Sequence, residues 1–150
     1  LSELRGQGDW GDRMKKSTGA RAKTKKAKRI RILMADDNPK FLDKATDFLS
    51  RHAGLMVVAE TGDADSTLEL ARVLQPDVIL YDLRMPGTIW TKVFPRLRAQ
   101  APAAKIIVVS LIDEAGYVET ALAVGAHGFV SKTRFTTDLV PLIRQLTSAT

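Results

Sequence analysis

The sequence contains no cysteine, which excludes disulfides and thiolate metal sites outright. It also lacks any apolar stretch near the ~18 residues that would suggest a membrane-spanning helix. The first residues, Leu1 to Arg31, hold no apolar run of the kind a secretory signal needs. A cytoplasmic protein is the resulting expectation. What is present is enough for one domain: 150 residues, of which 45% are hydrophobic. That share argues against a wholly disordered chain.

The formal charge of +6 divides unevenly along the chain. Residues 1–31 carry 11 Lys/Arg against 3 Asp/Glu, whereas residues 32–150 carry 12 against 14. The basic balance therefore belongs to the start of the chain, an asymmetry typical of a tail joined to a domain. Residues 1–29 also hold Gly6, Gly8, Gly11 and Gly19 and show almost no apolar period. Such a segment buries too little surface to offset the entropy of ordering, and it reads as a flexible basic arm ahead of a domain at 30–150. Residues 6–11 match the glycine spacing of a dinucleotide-binding turn as text. With no strand before them and no apolar helix after, they lack the context that motif needs.

From Ile30 onward the pattern changes. Short apolar runs rich in Val and Ile predict strands at Ile30–Ala35, Leu55–Ala59, Asp77–Tyr81, Lys105–Val109 and His127–Val130. Helical periodicity separates them. Asn38-Pro39 offers an N-cap and a first-turn proline, and Phe41, Leu42, Ala45, Phe48 and Leu49 share a face. A second helix is expected from about Ser66 to Leu74, stopped by Gln75-Pro76. A third spans roughly Ile89 to Ala99, with Pro95 predicting a poor or kinked helix. A fourth runs from a cap at Asp113 to Val124, with Gly125 as its stop, and Leu139, Leu142, Ile143 and Leu146 mark a fifth. Strands alternating with helices predict an α/β fold, a doubly wound five-stranded parallel sheet covered on both faces. In that architecture ligands bind beyond the carboxyl ends of the strands. Asp36, Asp37, Asp82, Ser110 and Lys132 are expected at those ends, converging on one rim.

Three carboxylates in one crevice repel one another and call for a cation or raised pKa values. Mg²⁺ suits them, since it takes oxygen ligands and favours phosphate-bearing partners. A carboxylate can act as a nucleophile toward phosphorus, giving an aspartyl phosphate. Lys132 would place a compact positive charge opposite the incoming group, and the Ser110 hydroxyl could donate to one of its oxygens.

The segments MADDNP with Asp36-Asp37, YDLRMPG with Asp82, VVS with Ser110 and GAHGFVSK with Lys132 resemble the receiver domains of two-component response regulators. The resemblance covers Ile30–Thr150. It implies a flavodoxin-like strand order 2-1-3-4-5, and Asp82 as a phosphoacceptor served by a histidine kinase or phosphotransfer protein. It also implies Mg²⁺ held by Asp36, Asp37, Asp82 and the backbone carbonyl of Arg84. Lys132 and Ser110 would assist the transfer, and Ser110 and Phe129 would form a switch pair altering a surface on the last helices and strand, where a partner or a second copy docks. The chain would then be a signalling phosphoacceptor, not an enzyme with an external substrate. Three positions depart from the family pattern: Thr133 follows Lys132 where proline is usual, Trp90 replaces an expected glycine, and Leu111 stands where a small residue is common.

Each residue alone also has a plain structural reading. Asp36-Asp37 could only cap a helix, Ser110 could sit in a turn, and Phe129 could be core. Trp90 reads as a packing or partner-contact residue, His52 and His127 as structural, and Asp63-Ala64-Asp65 as the opening of a helix. The run Arg21–Arg31 has no interleaved aromatics, so any nucleic-acid contact would be nonspecific. A phosphorylation-independent interaction domain with a basic nucleic-acid- or protein-binding arm, and a Mg²⁺-dependent phosphohydrolase, are the alternative functions.

Overall fold

Residues in the strands alternate between two opposite faces, and in this chain both faces are apolar. In β1 (Ile30–Ala35), Leu33 and Ala35 point to one side and Ile32 and Met34 to the other, all buried. The computed structural model, which describes residues 28–111 and 115–148, resolves this into two cores on either side of one sheet. The remaining strands are β2 (Leu55–Thr61), β3 (Val78–Tyr81), β4 (Lys105–Ser110) and β5 (Gly128–Ser131), all parallel and ordered β2-β1-β3-β4-β5. This is the predicted doubly wound arrangement. A register shift between Ile32 and Leu33 marks a local irregularity where β1 pairs with β2.

Helix α1 (Pro39–Ser50) buries Leu42, Ala45 and Leu49 against one face, together with Phe135, Leu139 and Ile143 of α5 (Phe135–Thr147). Its start follows the sequence: the Asn38 side chain accepts from the Lys40 and Phe41 amides, with Pro39 in the first turn. The opposite face is covered by α2 (Ala64–Leu74) and α3 (Trp90–Gln100), through Leu68, Phe94 and Leu97, with Ala121 of α4 (Ala115–Ala123) also in that core.

Some boundaries differ from the sequence reading for physical reasons. Helix α2 begins before Ser66 because the Asp63 carboxylate caps the Ser66 amide at 2.7 Å. Pro95 does not break α3. The proline is exposed, and the helix runs on past it to Gln100. Helix α5 starts earlier than its apolar pattern indicated, following a short 3₁₀ turn at Lys132–Arg134. The expected cap at Asp113 and most of the basic arm (residues 1–27) lie outside the described residues.

Candidate functional site at the carboxyl rim of the sheet

Four strands deliver one functional group each to the same edge. Asp36 leaves β1 with its amide bonded to the Thr61 carbonyl at 3.0 Å, and Asp82 leaves β3 with its amide bonded to the Ala35 carbonyl at 2.9 Å. Ser110 ends β4, and Lys132 follows β5. Parallel pairing in register therefore brings together residues nearly a hundred positions apart.

Their side chains meet. Lys132 Nζ lies 2.7 Å from Asp36 Oδ2 and 2.9 Å from Asp82 Oδ2. Asp82 Oδ1 accepts from the Ser110 hydroxyl at 3.3 Å and from the Arg84 amide at 3.0 Å. Asp36 Oδ1 accepts from the Asn38 amide at 2.9 Å. Asp36, Asp82 and Ser110 are buried, whereas Asp37 is exposed at the mouth. One carboxylate oxygen from each of Asp36, Asp37 and Asp82 lies within 4.8 Å of the others.

The electrostatics follow from that packing. Burial pushes the Asp36 carboxyl above its ordinary pKa, and the Asp82 charge adds to the effect, while the bonds from Lys132 and Asn38 only partly offset it. Burial alone would lower the Lys132 pKa, but the bonds to Asp36 and Asp82 outweigh it and hold the ammonium above its usual value. One ammonium faces three carboxylates, so the cluster remains an anionic, oxygen-only site of the kind that suits Mg²⁺.

Phe129, the other expected switch residue, is half-buried and packs on the α2–α3 face of the sheet. Trp90 is half-buried against Phe94, ring centroids 5.7 Å apart, and Phe94 stands edge-on to Tyr81, the residue just before Asp82. His52 bonds the Phe48 carbonyl and His127 accepts from the Ile106 amide, so both have structural partners. Sequence reasoning missed Phe41, read only as a core position. Its ring centroid lies 4.3 Å from Lys132 Nζ, a cation–π contact that helps fix the ammonium. Its place three residues after the Asn38 cap was the available signal, since the first helical turn faces the rim.

The loop after Asp82 is itself docked. The Pro86 carbonyl accepts from the Ala64 amide at 3.0 Å, and Thr88 donates to Asp65 at 3.3 Å. Gly87 adopts φ +100° and lies so close to α2 that a Cβ there would sit 3.3 Å from the Ala64 Cβ.

Comparison with known proteins agrees with this geometry. The family model described as "Response regulator receiver domain" matches residues 32–144. The probable transcriptional regulatory protein NarL of Mycobacterium tuberculosis is 33% identical over 115 residues, covering 77% of this chain and 53% of that protein. The response regulator GacA of Pseudomonas aeruginosa is 32% identical over 117 residues, covering 78% and 55%. The chain thus spans about half the length of these curated relatives. Among solved structures, the signal receiver domain of the M. tuberculosis response regulator NarL superposes with a TM-score of 0.75 at 31% identity, covering 82% of this chain and 100% of that one. Matched in fold, in strand order and in sequence across most of its length, the chain belongs to the response regulator receiver domain family of two-component signalling.

Proposed function

We propose that Asp82 accepts a phosphoryl group from the phosphohistidine of a histidine kinase or phosphotransfer protein. In that transfer an Asp82 carboxylate oxygen forms the new bond to phosphorus, the phosphorus–nitrogen bond breaks, and the imidazole leaves with its electron pair. The observation that carries the reading is the setting of Asp82: a buried carboxylate at an open rim, gripped by Lys132, Ser110 and the Arg84 amide and flanked by two further carboxylates. Asp36, Asp37 and Asp82, with the Arg84 carbonyl, would hold Mg²⁺, which when bound offsets negative charge on the incoming group. Lys132 is placed to pair with an oxygen of a phosphoryl group on Asp82, and the Ser110 hydroxyl to donate to another. Withdrawal of Ser110 toward the phosphoryl group and a rotamer change at Phe129 would then bias a surface on α4, β5 and α5, where a partner or a second copy docks. Within this reading the chain acts in the cytoplasm and modifies only itself.

The test is incubation with Mg²⁺ and acetyl phosphate, followed by intact mass and Trp fluorescence. A single phosphoryl adduct is expected, lost in Asp82→Asn and after chelation of the metal. A folded protein that gains no adduct and shows no spectral response would overturn the proposal.

A further inference from the structure

The end of the sheet opposite the acceptor rim has the opposite charge. Lys28, Arg29 and Lys105 line an open groove of about 520 Å³ there, together with Ile30, Asp77, Ala103 and the end of α5 at Leu146 to Ser148. Asp77 is the one carboxylate among the described lining residues and accepts from the Arg31 amide at 2.8 Å, so Lys28, Arg29 and Lys105 outnumber it three to one. Burial and the nearby positive charges of Arg98 and Lys105 hold the pKa of His127, beside the first residues of β4, below its ordinary value. In the sequence, Arg21, Lys23, Lys25 and Lys26 lead directly into Lys28 and Arg29.

We propose that this basal groove binds the phosphodiester backbone of duplex nucleic acid without regard to sequence, with Arg29 and Lys105 as phosphate contacts. Several features favour this ligand over others. In the sequence the groove cations follow a run of further Lys and Arg residues, a charge excess that suits a polyanion releasing counterions. Among the described residues no aromatic ring lines the groove, so they offer no platform for stacking a single strand. Ile30 and Leu146 are half-buried against the core, so among the described residues the groove offers no large, freely exposed apolar anchor for a protein partner or a lipid surface. The location also leaves the carboxyl rim free, so binding here is independent of phosphoryl transfer at Asp82.

The experiment is fluorescence anisotropy of the full chain with a labelled duplex of arbitrary sequence, across about 50 to 200 mM salt. Arg29→Gln/Lys105→Gln is expected to bind at least tenfold more weakly, on the order of the effect of two lost phosphate contacts near 0.1 M salt. Its salt slope should be shallower by about 2. Lys40→Gln/Lys44→Gln removes the same charge from exposed positions on α1 near the acceptor end, and should leave both quantities unchanged. A second readout is the His127 titration by NMR, which saturating duplex should move upward. Several results would overturn the proposal: no binding at about 50 mM salt, equal losses in the two double variants, or full binding retained without Arg29 and Lys105. So would tighter binding to anionic phospholipid vesicles than to the duplex. Unchanged thermal melting of the variants separates these outcomes from misfolding.

Discussion

At the scale of single residues, the ammonium of Lys132 is the pivot of the rim. Its side chain is 10% exposed and pairs with two buried carboxylates, so removing it leaves like charges facing each other in a poorly solvated space. Lys132→Ala is therefore expected to lower stability by about 3 kcal/mol in metal-free buffer. Mg²⁺ should recover part of that loss, because a divalent cation can take over the neutralisation. Urea unfolding with and without Mg²⁺ checks both. His127 supplies a pH dependence away from the rim. Its Nδ1 accepts the Ile106 amide at 3.0 Å, so that nitrogen is unprotonated in the fold, and its folded pKa lies below the ordinary value of 6.5. The unfolded chain therefore binds a proton first as pH falls, so this residue's contribution is intact above about pH 6.5 and is lost progressively below it. His127→Gln keeps an acceptor but cannot protonate. Its stability should fall less steeply than that of the unsubstituted protein between about pH 6.5 and 5. An unchanged slope in urea titrations would contradict the assignment. The chemical identities at the rim were legible in the sequence because each follows a strand directly. The Phe41 contact with Lys132 was not, since it depends on how α1 leans over the rim, which apolar periodicity does not encode.

At the scale of elements, the loop after Asp82 and α2 behave as one unit. Gly87 is needed twice over: its φ of +100° disfavours other residues, and Ala64 stands where a side chain would go. Gly87→Ala should cost about 1–2 kcal/mol in urea unfolding from the backbone conformation alone. It should also weaken Mg²⁺ binding, measurable by calorimetry, because the same loop carries Arg84. A variant that loses stability yet binds Mg²⁺ unchanged would show that the loop tolerates displacement. The elements themselves were legible wherever local and global signals agreed. Asn38-Pro39 set the start of α1, and the apolar strands came out in the expected order. They were less legible where tertiary contacts override propensity. Pro95 suggested a poor or kinked α3, but the helix runs through Trp90–Gln100 with Phe94 and Leu97 fully buried in the core, and that packing outweighs one missing backbone bond. Gln75 likewise ends α2 in a left-handed conformation usually left to glycine, with its side chain bonded to the Arg72 and Gln100 carbonyls.

At the scale of the whole molecule, the rim groups hang from β1, β3, β4 and β5, four of the five strands. A ligand held by all of them cannot be released by fraying one element, so its binding energy opposes global unfolding. Mg²⁺ with fluoroberyllate, which imitates a phosphoryl group on a carboxylate, should stabilise the chain by RT ln(1 + [L]/Kd), about 2.7 kcal/mol at a hundredfold excess over Kd. For a domain of this size that corresponds to a rise in Tm on the order of 10 °C. Neutralisation of the acidic cluster by Mg²⁺ alone should give a smaller rise, since it leaves Lys132 and Ser110 in their present bonds. Asp82→Asn should keep some of the Mg²⁺ effect through Asp36 and Asp37 but lose the increment from fluoroberyllate. Equal increments in Asp82→Asn and the unsubstituted chain would place the adduct elsewhere and remove Asp82 from the proposed transfer. An increment confined to the unsubstituted chain would tie the reacting oxygen to the residue that Lys132, Ser110 and the Arg84 amide all contact.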